Sequence, residues 1–341
     1  MKKGVLTGSL FHTVRSRRIT YGKDDILYWD VWEGDMRIDV IIPVYRPGKE
    51  LKELLERLER QTVKPDHIIL INTEKALFDE AFSEEELYRE YPGLVIRHIS
   101  KKEFDHGGTR RMAVEMSEAE VFVLFTQDAL PADTKVLENL TGKLQEGVAV
   151  SYGRQLPRKN SGILERISRD FNYPAESVVK GMKDMEKLGI KTFFCSNVCA
   201  AYRRDVYEEL GGFVEKTIFN EDMIYAGNAV KKGYLIQYAA DARVYHSHNY
   251  SCMQQFHRNF DLGVSQAQHP EIFAAVPSES EGKKLVSATV KELVNRGAYL
   301  MIPAFFMQCA AKYAGYLCGK KYRILPKCFI LWASDNKSFW K

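Results

Sequence analysis

Five short runs of this chain are almost wholly apolar: "IDVIIPVY" (38–45), "HIILIN" (67–72), "LVIRHIS" (94–100), "VFVLFT" (121–126) and "VAVSYG" (148–153). Between them lie segments of a different period. "KELKELLERLERQ" puts Leu51, Leu54, Leu55 and Leu58 on one helical face. "GGTRRMAVEMS" reads as a helix behind a glycine-rich entrance, with Met112, Ala113 and Met116 facing in, and residues 133–146 read as the next helix. A strand that is apolar on both faces must be covered on both faces. Such strands alternating with helices predict an α/β fold with a mostly parallel, Rossmann-like central sheet. The first strand is expected to end at Pro43.

Ligands of such sheets sit beyond the carboxyl ends of the strands. The polar residues that follow each strand are therefore the candidates: Pro43-Val44-Tyr45, Asn72-Thr73, Lys101 to Arg110, and Thr126-Gln127-Asp128. The second half is less regular. Residues 155–190 read as loop and helix over the site. "FFCSNVCAAYRRDVYEELGGF" (193–213) reads as a strand and a short helix stopped by Gly211-Gly212. "NEDMIYAGNAVKKG" (220–233) opens a helix with Asn220 as the expected N-cap and Glu221 and Asp222 in its first turn. The helix dipole there is expected to lower the Asp222 pKa. "YLIQYAADARVYHSHNY" (234–250) reads as a pair of strands closing on His246 and His248. The chain after it is mostly helical.

Composition narrows the function classes. Of 341 residues, 45% are hydrophobic and 28% charged, enough for a substantial core. A net charge of +4 does not point to nucleic acid. The six cysteines form no CxxC pair, so they are expected to be reduced thiols of a cytoplasmic protein, with no zinc site. The N-terminal "MKKGVLTGSLFHTVRSRR" lacks the continuous apolar core of a signal peptide. Residues 298–323, "AYLMIPAFFMQCAAKYAGYLCGKKYR", leave two readings open: a buried helix pair, or a helix lying in a membrane surface.

Taken in order, "VIIPVYRP", "EFDHGGTRRMA", "FTQDALP", "NVCAAYRRDVYEELGGF", "NEDMIYA" and "VYHSHNYS" resemble the inverting family 2 glycosyltransferases of GT-A fold, and among them the bacterial rhamnosyltransferase branch. The resemblance covers roughly residues 37–260. It implies a catalytic domain over 37–250, preceded by an extension over 1–36 and followed by a helical region over 251–341. It also implies transfer of a sugar, with L-rhamnose from dTDP-rhamnose the first choice, onto a saccharide or lipid-linked glycan acceptor of a surface polysaccharide. The alternatives are a UDP-hexose donor, or a non-catalytic sugar-nucleotide or glycan-binding protein on the same scaffold. A nucleotidyltransferase fits less well, because the loop after the first strand is "PVYRPGKE", without the glycine-rich, lysine-bearing pattern. The expected location is cytoplasmic, with possible contact at the inner membrane face through the C-terminal helices. The oligomeric state is left open.

The resemblance also assigns residues. Pro43, Tyr45 and Asn72 would line the nucleoside. Asp105 would reach the pyrimidine or ribose, and Gly107 and Gly108 would let the backbone approach the nucleotide. Arg110 would meet phosphate or a carboxylate. Gln127 would lie at the donor, Asn197 near its sugar, and Arg154 with Gln155 at the donor sugar or acceptor. The family's acid-any-acid metal motif reads here Thr126-Gln127-Asp128, so the first acid is missing. A divalent metal, Mn2+ or Mg2+, would then rest on Asp128 and on His246 or His248. Asp222 would be the catalytic base, with Glu221 the alternative.

Overall fold

The computed structural model describes residues 36–274 and 279–341. The expected N-terminal extension lies almost wholly outside them. Among the described residues, nine strands form one sheet: β1 Ile38–Tyr45, β2 His67–Thr73, β3 Leu94–Ile99, β4 Val121–Phe125, β5 Leu130–Pro131, β6 Val148–Leu156, β7 Val178–Lys180, β8 Cys199–Arg203 and β9 Leu235–Tyr245. Their order is β3-β2-β1-β4-β8-β6-β9-β5, with β7 also on β9.

The apolar runs become strands because both faces are covered. Val40, Ile41 and Ile42 are fully buried, as are Phe122 to Phe125 of β4. The helix Lys49–Glu59 buries its four predicted leucines. At roughly 2 kcal/mol for each buried leucine side chain, that face alone anchors the helix. Pro43 does not end β1. It lies beyond the last β1–β4 pair, Ile41 with Leu124, where a missing donor breaks no ladder on that side.

The parallel expectation holds for β3, β2, β1 and β4. Beyond β4 the sheet is mixed. β8 enters antiparallel between β4 and β6, and β5 and β7 pair antiparallel with β9, while β6 and β9 are parallel. The expected strand pair at 234–250 is one long strand, β9. Its irregularity is a bulge opposite Gly153 and Arg154, which pair with Ala239 and Arg243. A Cβ on Gly153 would stand 2.6 Å from the Ala242 carbonyl oxygen, so the bulge needs glycine there. The strand directions bring the ends of β1, β2, β4, β6 and β9, and the start of β8, to one edge.

From Cys252 on, the described residues are mostly helical. The helices Cys252–Gln268 and Met301–Lys320 cross in close contact. Cβ atoms on Gly263, Gly315 and Gly319 would stand 2.4, 2.2 and 2.0 Å from the facing carbonyl oxygens of Tyr316, Phe256 and Phe260. No helix among the described residues is long and apolar enough to cross a membrane. All six cysteines are free.

Candidate active site

β4 ends at Phe125, and the chain turns tightly, with the Ala129 amide donating to the Thr126 carbonyl at 3.0 Å. That turn carries Asp128 at the carboxyl edge. β9 ends at Tyr245, so His246 and His248 arrive at the same place. Asp128 Oδ2 lies 3.5 Å from His246 Nε2 and 3.2 Å from His248 Nε2, and the two imidazole nitrogens are 3.0 Å apart. The three ligand atoms fall within 4.8 Å of one another, a spacing that fits one shared cation.

The proton positions also fit. Arg169 can only donate, and it donates to Gln155 Oε1. That oxygen is 2.9 Å from His246 Nδ1, so Nδ1 carries the proton and the Nε2 lone pair points at Asp128. Burial pushes the His246 imidazole down to about 3, and His248 is lowered by the same cause, which keeps both rings neutral. Burial would raise the Asp128 carboxyl, while His246 and His248 in their protonated forms, a hydrogen bond from Thr126 and the Arg158 charge lower it, and the balance falls below the ordinary range. One carboxylate and two neutral imidazoles are a donor set for a divalent ion.

The second cluster lies at the start of the helix Glu221–Lys231. Asn220 is in the left-handed region at φ 65° and does not cap the helix; its amide donates to Ser265 Oγ at 3.2 Å. The two acids that follow diverge. Glu221 is only 5% exposed, pairs with buried Arg110 at 3.2 Å and accepts from Asn197 Nδ2 at 3.0 Å. Burial would raise its carboxyl, but Arg110, then His106 and Asn197, hold it low. Asp222 is half-buried and accepts the Asn197 amide at 3.1 Å and its neighbour Met223's amide at 2.7 Å. Burial and the Glu221 charge push Asp222 up to about 7. The dipole expectation is therefore corrected: desolvation and a like charge outweigh the helix end.

The two clusters share a frame. Gln155 Nε2 donates to Tyr173 Oη at 2.6 Å and to Ser196 Oγ at 2.9 Å, and Ser196 precedes the Asn197 that holds Asp222.

Residues 39–211 match the profile of Glycosyl transferase family 2. The chain is 39% identical over 308 residues to the O-antigen chain rhamnosyltransferase RfbN of Salmonella typhimurium, covering 89% of this chain and 96% of that one. It is 37% identical over 305 residues to the O-antigen chain rhamnosyltransferase WbaN of Salmonella anatum, covering 88% and 95%. This chain is a family 2 glycosyltransferase. Among solved structures, the mannosyltransferase PcManGT from Pyrobaculum calidifontis, in complex with GDP-Man and Mn2+, is similar with a TM-score of 0.57 at 17% identity, over 86% of this chain and 90% of that one. That likeness bears on the fold, which is the expected GT-A fold.

Several expected donor contacts of the glycosyltransferase are occupied within the protein. The Gln127 amide is spent on the Tyr45 backbone, accepting from its N–H at 3.1 Å and donating to its carbonyl at 2.9 Å. This ties the end of β1 to the end of β4 and leaves the Tyr45 ring 36% exposed, with Arg46 and Lys101 over it at 5.3 and 5.6 Å. Asn72 is fully buried and donates to His98 Nδ1 at 2.9 Å, while its Oδ1 has no protein partner. Asp105 caps the helix His106–Glu115, accepting from the Gly108 amide at 2.6 Å and the Lys216 amide at 3.1 Å. Gly107 faces protein: a Cβ there would stand 1.7 Å from the Val214 carbonyl oxygen. Arg110 meets a carboxylate, Glu221, and Arg154 donates to the Tyr173 carbonyl at 3.1 Å.

One residue was missed by sequence reasoning. Arg258 is partly buried, sits over the rings of Tyr250 at 4.8 Å and Phe219 at 5.4 Å, and has no ion pair among the described residues. Burial is the main cause that lowers His248 and His106, and the Arg258 charge reaches both and adds to it. Helical spacing would pair it with Asp261, three residues on. The Asp261 carboxylate instead accepts the amides of Asp335 and Asn336. No quoted motif covers Arg258.

Proposed function

We propose that this glycosyltransferase moves L-rhamnose from dTDP-rhamnose, with inversion, onto a saccharide acceptor of a growing surface polysaccharide. The sugar is supported by the two rhamnosyltransferase relatives, each matched over 95% or more of its length. The observation that carries the chemistry is the pairing of an Asp-His-His group with a half-buried carboxylate poised near 7, joined through Gln155 and Ser196.

Asp222 is the base. It takes the proton of the acceptor hydroxyl as that oxygen attacks the anomeric carbon from the face opposite the diphosphate. One C–O bond forms as the bond to the diphosphate breaks, so no covalent enzyme intermediate is needed. Glu221 is the positioning acid: with Arg110 neutralised against it, it orients Asn197 and raises Asp222. Asp128, His246 and His248 would hold a divalent cation, preferably Mn2+ given two nitrogen ligands, and that ion would neutralise charge on the leaving diphosphate. Arg258 is assigned to the same diphosphate, because a stacked guanidinium with no acid partner among the described residues is suited to bidentate phosphate contact. The exposed ring of Tyr45, under two cations, is assigned to the nucleobase.

The test is Asp222→Asn. Transfer should fall by about 100-fold or more while nucleotide affinity stays within about twofold. Transfer at the parent rate would overturn the assignment. A thermal-shift panel of nucleotide sugars with and without Mn2+ tests the donor: stabilisation by a UDP-hexose and not by dTDP-rhamnose would replace the sugar named here.

A further inference from the structure

The helix Met301–Lys320 is apolar on two opposite faces, and among the described residues only one of them is covered. Its inward face is fixed by Phe305, Gly315, Tyr316 and Gly319, all buried. The glycine contacts with Cys252–Gln268 leave no slack for the helix to roll. At about 100° per residue, the opposite face is therefore set as Pro303, Phe306, Ala310, Tyr313, Ala314 and Leu317. All six are exposed, with Phe306 at 50%, Tyr313 at 55% and Leu317 at 38%, and Met307 beside them at 62%. The stripe holds no charged residue over about 21 Å of helix.

Its far end is basic. The stripe runs into exposed Lys320 and Lys321, and exposed Arg323 and Lys327 follow. None of the four has an ion pair among the described residues, and no aspartate or glutamate occurs from Ala298 to Ser334. Among the described residues no acid answers these cations, so the complement this face calls for is a negative surface.

We propose that this face docks on an anionic lipid bilayer. The stripe would lie in the headgroup region and the lysine-arginine end would meet phosphate headgroups. The helix beneath it begins four residues after His248 and carries Arg258. A bilayer on this face thus lies one helix layer from the active site, which suits an acceptor presented at a membrane. The inference does not depend on which sugar is transferred.

The experiment is vesicle flotation of the full chain with phosphatidylcholine alone and with added phosphatidylglycerol, at low and high salt. The parent should float with the phosphatidylglycerol vesicles and release in high salt. Phe306→Asp with Tyr313→Asp, and separately Lys320→Glu with Lys321→Glu, should each weaken binding at least tenfold. All four positions are exposed, so melting temperature and transfer to a lipid-free acceptor should stay at parent values. A parent that stays with the soluble fraction for every vesicle overturns the proposal. So does light scattering showing a parent dimer that Phe306→Asp with Tyr313→Asp dissolves, since the face would then be an interface between copies.

Discussion

The poised base can be tested through the pH dependence of turnover, using Glu221→Gln as the perturbation. With Asp222 near 7, its ionised fraction is about 1% at pH 5, about 9% at pH 6 and about 90% at pH 8. Turnover at saturating donor, acceptor and Mn2+ should therefore rise close to 90-fold from pH 5 to pH 8. A carboxylate at its ordinary value of 3.8 would change by about a tenth or less over the same range. Burial is the first cause of the raised value and the Glu221 charge the second. Glu221→Gln removes that second cause and leaves the Arg110 cation, 3.2 Å from Glu221 Oε1, without a counter-charge. Both effects favour ionised Asp222, so the midpoint should drop by about one unit and relative turnover at pH 6 should rise about fivefold. The cation left alone costs stability, about 3 kcal/mol for a broken buried pair, so the profile belongs below the variant's melting temperature. Protonation of the metal ligands also lowers turnover in acid, but it would not respond to residue 221. A flat profile from pH 5 to pH 8, or a midpoint that ignores Glu221→Gln, refutes the reasoning. The stability consequence has the opposite sign. The folded value lies above the ordinary one, so this group favours the fold at low pH and loses that contribution as pH rises from about 4 through about 7.

Two further outcomes are expected. Gln155→Ala removes the acceptor that sets the His246 proton, so Mn2+ affinity in the presence of nucleoside diphosphate should weaken about 10- to 100-fold by electron paramagnetic resonance titration; parent affinity would show that the tautomer is set elsewhere. Arg258→Ala should weaken nucleoside diphosphate binding by about tenfold or more in calorimetry while leaving the nucleoside unaffected. Equal loss for both ligands would move Arg258 away from the phosphates.

What the sequence by itself determined is the part governed by near neighbours. The period of two apolar faces set β1 to β4, and leucines at 51, 54, 55 and 58 set the first helix, because burial of regularly spaced side chains is a local pattern. The ordered motifs also marked Asp128, His246, His248, Asp222 and Glu221 as one group, and the fold brings them to one sheet edge in two linked clusters. Strand direction was not legible. β8 carries the same buried pattern as a parallel strand, and only its connection makes it antiparallel between β4 and β6. Tertiary structure alone decided how each polar side chain is spent. Gln127 went to the Tyr45 backbone, Asp105 to a helix cap and Arg110 to Glu221, each a partner chosen by packing. It also decided that Asp222 sits near 7, because its charge answers to desolvation and to a carboxylate whose own balance is set by an arginine more than one hundred residues earlier in the chain. Spacing along a chain carries no record of how much water a folded site excludes.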